Sequence, residues 1–157
     1  MHPYAEHVQS VIKSSGEPCQ VRELPNSTRS APEAAAAIGT TIAQIVKSLV
    51  FLAEAEPLLV LASGINRVSV AKLEALVGRP VSRADANKVK SLTGFPIGGV
   101  SPVGLKCSAR VLIDEDLRLH AELWAAAGTP HAVFPCSPDQ LARMSKGKFA
   151  DVKETAP

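Results

Sequence analysis

The sequence predicts a mixed α/β fold, with helices packed around one curled, mixed β-sheet. Segments of helical and strand periodicity alternate along the chain, and two neighbouring apolar runs form a hairpin. The hairpin argues against a strictly parallel, doubly wound sheet, because parallel strands need longer crossover connections. A chain of 157 residues is long enough to bury one core. We therefore expect a single domain over 1–157.

The first half of the chain contains the predicted centre of the sheet. A helix over 4–12, capped by Gly16, precedes a strand over 19–24. The pattern Ser30-Ala-Pro-Glu33 predicts a second helix, which ends at Gly39, and a short turn starts at Thr40 or Thr41. The apolar runs 46–53 and 58–63 flank the polar segment 54–57. These runs predict the hairpin at the centre of the sheet.

The second half contains further helices and strands. We expect helices over 70–77 and 84–92, a strand over 110–114, a helix over 119–127, a strand over 131–134 and a helix over 138–144. Glycines follow the first three of these helices. The residues from about 147 are polar, so they are expected to form a flexible tail.

Composition excludes several classes of protein. A net charge of +2 and an aromatic content of 4% are unlike proteins that coat nucleic acid, and no DNA partner is expected. The sequence has no signal-peptide pattern and no run of about eighteen apolar residues, which predicts a cytoplasmic protein without a membrane partner. Three separated cysteines indicate neither a disulfide framework nor a zinc site. Dinucleotide and phosphate-loop motifs are absent, so no nucleotide cofactor is expected, and no H-E-x-x-H spacing supports a metal.

Lys47 is the first candidate for chemistry. It lies in a predicted strand, on the same face as Leu49 and Phe51. Lysines in such places are commonly edge-strand residues or extend along apolar surface to reach water. The alternative is a fixed positive charge in a pocket, where reduced solvent screening lets it hold a carbonyl oxygen or a phosphate.

The second candidate is the loop 94–104, which contains four glycines and two prolines. Glycine lets backbone N–H groups approach a ligand closely, although such a loop can also be an ordinary multi-turn connection. Ser101 invites comparison with serine hydrolases. Its surroundings do not match G-x-S-x-G, and Pro102 stands where the helix of a nucleophile elbow would begin. A serine nucleophile is therefore rejected.

Histidine and basic residues supply weaker candidates. His131 precedes a short apolar strand and could line a pocket, or serve a structural role. Basic residues gather around one helix and near the C-terminus, where they could contact phosphates or form a solvated face. The candidates for RNA binding are Arg79, Arg83, Lys88 and Lys90.

Four ordered segments together resemble the YbaK-like family, which includes relatives of the editing domain inserted in bacterial prolyl-tRNA synthetase. They are Ser27 to Gly39, Gln44 to Phe51, Ser63-Gly-Ile-Asn-Arg67 and Gly98-Gly-Val-Ser-Pro102. The resemblance spans roughly residues 4 to 150. It implies the mixed α/β fold of that editing domain and hydrolysis of the ester that joins a wrong amino acid to the 3′ end of transfer RNA.

The resemblance also implies roles for particular residues. Lys47 matches the essential lysine of the family, and Gly98 to Pro102 matches its G-x-x-x-P loop, whose backbone contacts the aminoacyl group. Gly98 and Gly99 would then act in catalysis, while Val100, Ser101, Pro102 and His131 would bind substrate. Asn66 and Arg67 match a recurrent motif to which the resemblance gives no role. In this mechanism water attacks with help from the ribose 2′-hydroxyl.

The implied partner is the acceptor end of aminoacyl-tRNA, and prolyl-tRNA synthetase is a second candidate partner. Kinship favours tRNA(Pro) carrying a small wrong amino acid, with alanine, cysteine, serine and others left open. The sequence around Lys47, Ile45-Val-Lys-Ser48, differs from the contexts associated with alanine- and cysteine-directed members. Two alternatives stay open: a hydrolase of another small acyl ester, and a non-catalytic module that binds tRNA or a synthetase.

Overall fold

The computed structural model describes residues 1–155. Within these residues the chain forms five α-helices and eight β-strands. The helices are α1 (Pro3–Ser14), α2 (Ala31–Ile38), α3 (Val70–Val77), α4 (Ala86–Thr93) and α5 (Pro138–Ser145). The strands are β1 (Arg22–Glu23), β2 (Ile45–Ala53), β3 (Glu56–Ser63), β4 (Val81–Arg83), β5 (Arg110–Asp114), β6 (Leu123–Ala126), β7 (Ala132–Cys136) and β8 (Lys148–Ala150). Two 3₁₀ helices cover Ile42–Gln44 and Glu115–Leu119.

All eight strands belong to one mixed sheet in the order β1-β7-β6-β2-β3-β5-β8, with β4 paired to β2. The pairs β2–β6, β3–β5 and β5–β8 are parallel, and the other pairs are antiparallel. The predicted hairpin is present as β2 and β3 at the centre of this order. This architecture confirms the predicted mixed α/β fold.

Helices cover both faces of the sheet. On one face, α1, α4 and α5 pack on the residues of β2 and β3 that alternate towards them, such as Val46, Val50 and Leu59. On the opposite face, α3 packs through Leu73 against Phe51. On the same face, α2 packs against a cluster that includes Trp124. The strand period of two explains how one strand supplies side chains to both layers.

The predicted start of α2 at Ser30 and the predicted ends of α2, α3 and α4 at glycines are confirmed, and α3 and α5 begin with caps of the same kind. Ser30, Ser69 and Ser137 each accept a hydrogen bond from a backbone N–H in the first turn of α2, α3 and α5. At the opposite ends, Gly39 and Gly78 adopt the left-handed conformation that glycine tolerates best. These local signals act within a few residues, so the sequence alone predicts them well.

The secondary structure differs from the prediction at three elements. The helix expected over 119–127 is replaced by β6, whose apolar run lies between β2 and β7 and bonds to both. The strand expected over 19–24 contains only Arg22–Glu23. The short strand β4 was not expected at all. In each case pairing between distant segments, rather than local propensity, determines the backbone.

The flexible tail expected from about residue 147 is also wrong within the described residues. Residues 148–150 form β8, which pairs in parallel with β5, and Val152 is fully buried beneath α3. Further along, Val68 and Lys153 form an isolated β-bridge. The segment is polar because one side faces solvent, while backbone pairing and Val152 hold its other side to the sheet.

Candidate functional site

A cavity opens where the sheet has a local gap. On the side of β2 away from β3, β6 pairs only with Ile45–Val46 and β4 pairs only with Phe51–Ala53. Between these pairings, residues 47–50 have no strand neighbour on that side within the described chain. A cavity of about 450 Å³ lies against this stretch and is lined by both alternating faces of β2. The gap exposes backbone and side chains of a central strand to a ligand.

Lys47 enters this cavity from the face that carries α2 and α3. Leu49 and Phe51, two and four residues further along β2, belong to the cluster beneath α3, which confirms the predicted shared face. The Lys47 side chain is half-buried, and its Nζ donates a hydrogen bond to the backbone oxygen of Asn66. Burial lowers the pKa of Lys47. The Asp114 carboxylate opposes that change, whereas Arg83 and Arg67 add to it.

The Gly-rich loop forms another wall of the same cavity. Gly98 and Val100 line it, whereas Gly99, Ser101 and Pro102 lie behind them. Gly99 N donates to the Pro96 carbonyl at 3.0 Å, so this amide is used within the loop itself. The amides of Gly98 and Val100 pair with no backbone carbonyl of the described residues. Because both residues also line the cavity, their N–H groups are candidates for contact with a ligand.

Glycine is required at positions 98 and 99 because other chain segments approach the backbone closely there. Gly98 has a φ of +88°, and a Cβ placed on it would lie 2.6 Å from Arg29 Cγ. A Cβ on Gly99 would lie 2.8 to 2.9 Å from the backbone of Thr129. Thr129 in turn neighbours Pro130, whose oxygen accepts from Thr28 Oγ1 at 2.9 Å. Three loops thus meet at this wall of the cavity.

Helix α1 braces the far part of the Gly-rich loop. His7 Nε2 lies 2.9 Å from the Gly104 oxygen, and the Tyr4 and Phe95 rings meet edge-on with centroids 6.0 Å apart. Lys90 also donates to Tyr4 Oη and lies over the Tyr4 ring. These contacts tie the loop to a helix that lies outside the cavity.

Ser101 has a structural environment. Its side chain is fully buried, and its Oγ accepts a hydrogen bond from Val103 N at 3.1 Å. The hydroxyl therefore caps a turn inside the loop. This arrangement agrees with the rejection of a serine nucleophile.

The remaining candidates divide between the cavity and distant surface. Arg83 lines the cavity, with its guanidinium 5.7 Å from the Phe51 ring centroid. Arg79 instead forms an exposed ion pair with Glu56. The His131 side chain is exposed and is not among the residues that line the cavity. Lys88 and Lys90, on α4, are also absent from its lining.

Sequence analysis missed several residues of the cavity. Arg29 and Ser30 precede α2 at its mouth, and Trp124 lines it from β6. Ser48 also lines the cavity, and its buried Oγ has no hydrogen-bond partner among the described residues. An unpaired buried hydroxyl is unusual in a folded protein and calls for a partner such as a ligand. Only the gap in the sheet reveals these positions, because residues on opposite faces of β2 do not normally share one site.

The cavity combines a cationic part with an apolar part. Lys47, Arg29 and Arg83 supply positive charge. The apolar lining comes from small and branched side chains, which are Ala31, Ala34, Ile38, Ile45, Val133 and others. Such a site can hold an anionic group beside a small apolar one, with free backbone N–H groups near both.

Within the described part of the chain, none of the helices has the length and apolar character needed to cross a membrane.

Comparison with known proteins gives a consistent family. The family model described as aminoacyl-tRNA editing domain matches residues 25–144. A crystal structure described as a candidate trans-editing enzyme for prolyl tRNA synthetase is 45% identical to this chain. It has a TM-score of 0.94, and the alignment covers 99% of both chains. The crystal structure of the hypothetical protein APE2540 is 33% identical, with a TM-score of 0.89 and coverage of 94% and 99%.

Sequence relatives point the same way. The uncharacterized protein YwhH of Bacillus subtilis is 30% identical over 129 residues, which are 82% of each chain. A proline–tRNA ligase of Nitratidesulfovibrio vulgaris is 31% identical over 122 residues, which are 73% of this chain. The match spans only 21% of that ligase, about a fifth of its length.

Proposed function

This chain belongs to the aminoacyl-tRNA editing domain family, and on that premise we propose that it hydrolyses mischarged aminoacyl-tRNA in trans. The proposed substrate is tRNA(Pro) carrying a small wrong amino acid. The relative described as a candidate trans-editing enzyme for prolyl tRNA synthetase supports this choice of substrate. Such editing is needed because a single methylene gives a synthetase only about 1–3 kcal/mol of discrimination.

One observation carries the proposal: Lys47 and the backbone of the Gly-rich loop open onto the same cavity. Hydrolysis of an ester passes through a tetrahedral intermediate whose oxygen is negatively charged. A cation and free N–H groups at fixed positions stabilise that charge, and they do so more effectively where solvent is partly excluded. Lys47 and the amides of Gly98 and Val100 provide this combination.

The proposed mechanism assigns a role to each part of the cavity. The apolar lining holds the side chain of the amino acid, while Arg29 and Arg83 hold phosphate at the 3′ end. The Gly98 and Val100 amides orient the ester carbonyl, and Lys47 neutralises the developing oxyanion or the phosphate of the terminal nucleotide. Water attacks the carbonyl carbon with help from the ribose 2′-hydroxyl. The bond to the 3′ oxygen then breaks, and that oxygen takes up a proton.

Partners and surroundings follow from the same proposal. The acceptor end of aminoacyl-tRNA is the proposed partner. Prolyl-tRNA synthetase is a second proposed partner, which would hand mischarged tRNA to this protein. The protein would act in the cytoplasm, where translation supplies its substrate. Lys88 and Lys90 flank Val89, which lines the cavity, and are proposed to contact the RNA backbone.

The test is deacylation of tRNA(Pro) charged with alanine, serine, threonine, cysteine or 2-aminobutyrate, beside the free amino-acid esters. We expect the wild type to hydrolyse at least one charged tRNA. Lys47→Ala should lose at least about a hundredfold in rate, the scale of one preorganised electrostatic contact. Lys13→Ala, which alters an exposed lysine on α1, is the matched control and should retain full activity.

Other outcomes would contradict the proposal in distinct ways. Equal turnover of free esters would indicate a hydrolase of small acyl esters. Binding of tRNA without turnover of any charged form would indicate a non-catalytic module. Full activity of a folded Lys47→Ala variant would exclude the proposed site.

A further inference from the structure

Lys47 is anchored by a segment to which sequence analysis gave no role. Its Nζ donates to the backbone oxygen of Asn66, which lies between β3 and α3. A protonated lysine has three N–H donors. One donor is used by Asn66, so two remain for a ligand in the cavity. The position of the Asn66 carbonyl therefore fixes the direction of the other two.

The side chain of Asn66 holds that carbonyl in place. Its Nδ2 donates to Asp114 Oδ2 at 2.8 Å and to Asp116 Oδ2 at 2.9 Å, so both amide hydrogens are used. The Asp114 residue is only 1% exposed and lies at the end of β5. Its carboxylate also accepts from Ser63 N and from Asp116 N, each at 3.0 Å. A buried carboxylate with three donors is a rigid anchor.

Residues 152–154, near the C-terminus, bond to Asp116 and to the segment that carries Asn66. Lys153 Nζ lies 2.7 Å from Asp116 Oδ2, and Glu154 N donates to the Arg67 oxygen at 2.7 Å. A further bond joins Ser69 N to the Val152 oxygen at 2.8 Å. The segment that carries Asn66 is thus tied at both ends to ordered structure.

Charge supports the same arrangement. Three charged groups act on the Lys47 ammonium: Asp114 from β5, Arg67 from the Asn66 segment and Arg83 from β4. Burial lowers the pKa of Lys47, and the negative charge of Asp114 opposes this effect. Asp114 therefore favours the protonated lysine as well as holding the residue that orients it.

We propose that Asn66 and Asp114 are positioning residues for Lys47, through which they act on the reaction without touching the substrate. The inference rests on the proposed function, because it gives Lys47 its role in the reaction. Removing a group that holds a reacting side chain in place can cost up to about 100-fold in rate, because a misplacement of about 1 Å is enough for such a loss.

The test compares Asn66→Ala and Asp114→Asn with the matched control Asp139→Asn, which alters an exposed aspartate on α5. The titration of Lys47 is followed by NMR of its side chain without RNA, and kcat and KM are measured separately. Both test variants should lower the pKa of Lys47. Asn66→Ala should reduce kcat about tenfold with KM changed less than about twofold. The control should match the wild type in every measurement.

Unchanged Lys47 titration and unchanged kcat in a folded Asn66→Ala variant would overturn the inference. If Asp114→Asn does not fold, Asn66→Ala decides alone, since its side chain is only partly buried. A wild type without deacylation activity would contradict the proposed function instead. The NMR titration would still test whether Asn66 and Asp114 hold Lys47.

Discussion

The Lys47 ammonium is partly removed from water, and this has a consequence for stability. Burial lowers the pKa of Lys47 below its ordinary value, so the folded chain holds this proton less tightly than the unfolded chain does. At neutral pH the lysine is charged in both states, and folding bears the full desolvation cost. The proposed role of the Lys47 charge in the cavity gives a reason why this cost is tolerated.

We therefore expect Lys47→Met to stabilise the protein at neutral pH while it abolishes deacylation. A gain of 1 kcal/mol would raise Tm by about 2–4 °C in a domain of this size. As pH rises through the lowered pKa of Lys47 towards its ordinary value of 10.5, Lys47 loses its proton in the folded wild type. The cost of burying the charge then disappears. The difference in Tm between variant and wild type should shrink over that range. Thermal melts followed by circular dichroism at several pH values measure this.

A variant less stable than the wild type at neutral pH would contradict the expectation. It would indicate that the hydrogen bond to Asn66 outweighs the cost of burying the charge.

Ser48 gives a second prediction for a single residue. Its Oγ is buried without a partner among the described residues, so Ser48→Ala removes an unsatisfied polar group. We expect Tm to stay the same or rise, while kcat/KM falls about three- to tenfold if the hydroxyl bonds to the aminoacyl group. Ser10→Ala, on the exposed side of α1, is the control. A clear loss of stability would mean that Ser48 has a structural partner.

The Gly-rich loop acts as an element, and its glycines and serine should respond differently to substitution. Gly98→Ala combines a positive φ with contact against Arg29, and Gly99→Ala drives a methyl group into the Thr129 backbone. Both should reduce deacylation severely, because they displace the cavity wall. Ser101→Ala should reduce activity modestly and cost about 1–3 kcal/mol of stability, since the buried Val103 amide loses its acceptor. Deacylation rates and thermal melts measure the two effects separately.

Gly16→Ala provides a matched control, since Gly16 has a φ of +83° but nothing within 4 Å of its added Cβ. It should cost some stability and leave the rate unchanged. Trapping of an acyl-enzyme on Ser101 would replace the water-attack mechanism with covalent catalysis.

At the scale of the whole molecule, the proposed reaction uses only groups of the chain and the substrate. Within residues 1–155, no three His, Cys, Asp or Glu side chains are grouped so as to hold a metal ion. We expect deacylation to continue unchanged after treatment with a chelator and removal of bound metal. Loss of activity that added zinc restores would show that a metal takes part.

How much of this architecture could be predicted depends on the range of the interactions involved. Interactions within a few residues determine three features: the hairpin of β2 and β3, the ends of α2 and α3, and the shared face of Lys47 and Phe51. The strand β6 could not be predicted in this way. Its alanine- and leucine-rich run also suits a helix, and only its place between β2 and β7 makes it a strand.

The features of the candidate site also divide into those set by local sequence and those set by distant contacts. The sequence by itself determined the fold class, the family resemblance and the choice of Lys47 and the Gly-rich loop, because residue types and local spacing carry those signals. Only the tertiary structure decided that β2 faces a gap, that Ser48 shares the cavity with Lys47, and that Asp114 anchors Asn66. These relations join segments up to about eighty residues apart in sequence. Pairing and burial across the whole sheet create them, and no local pattern records them.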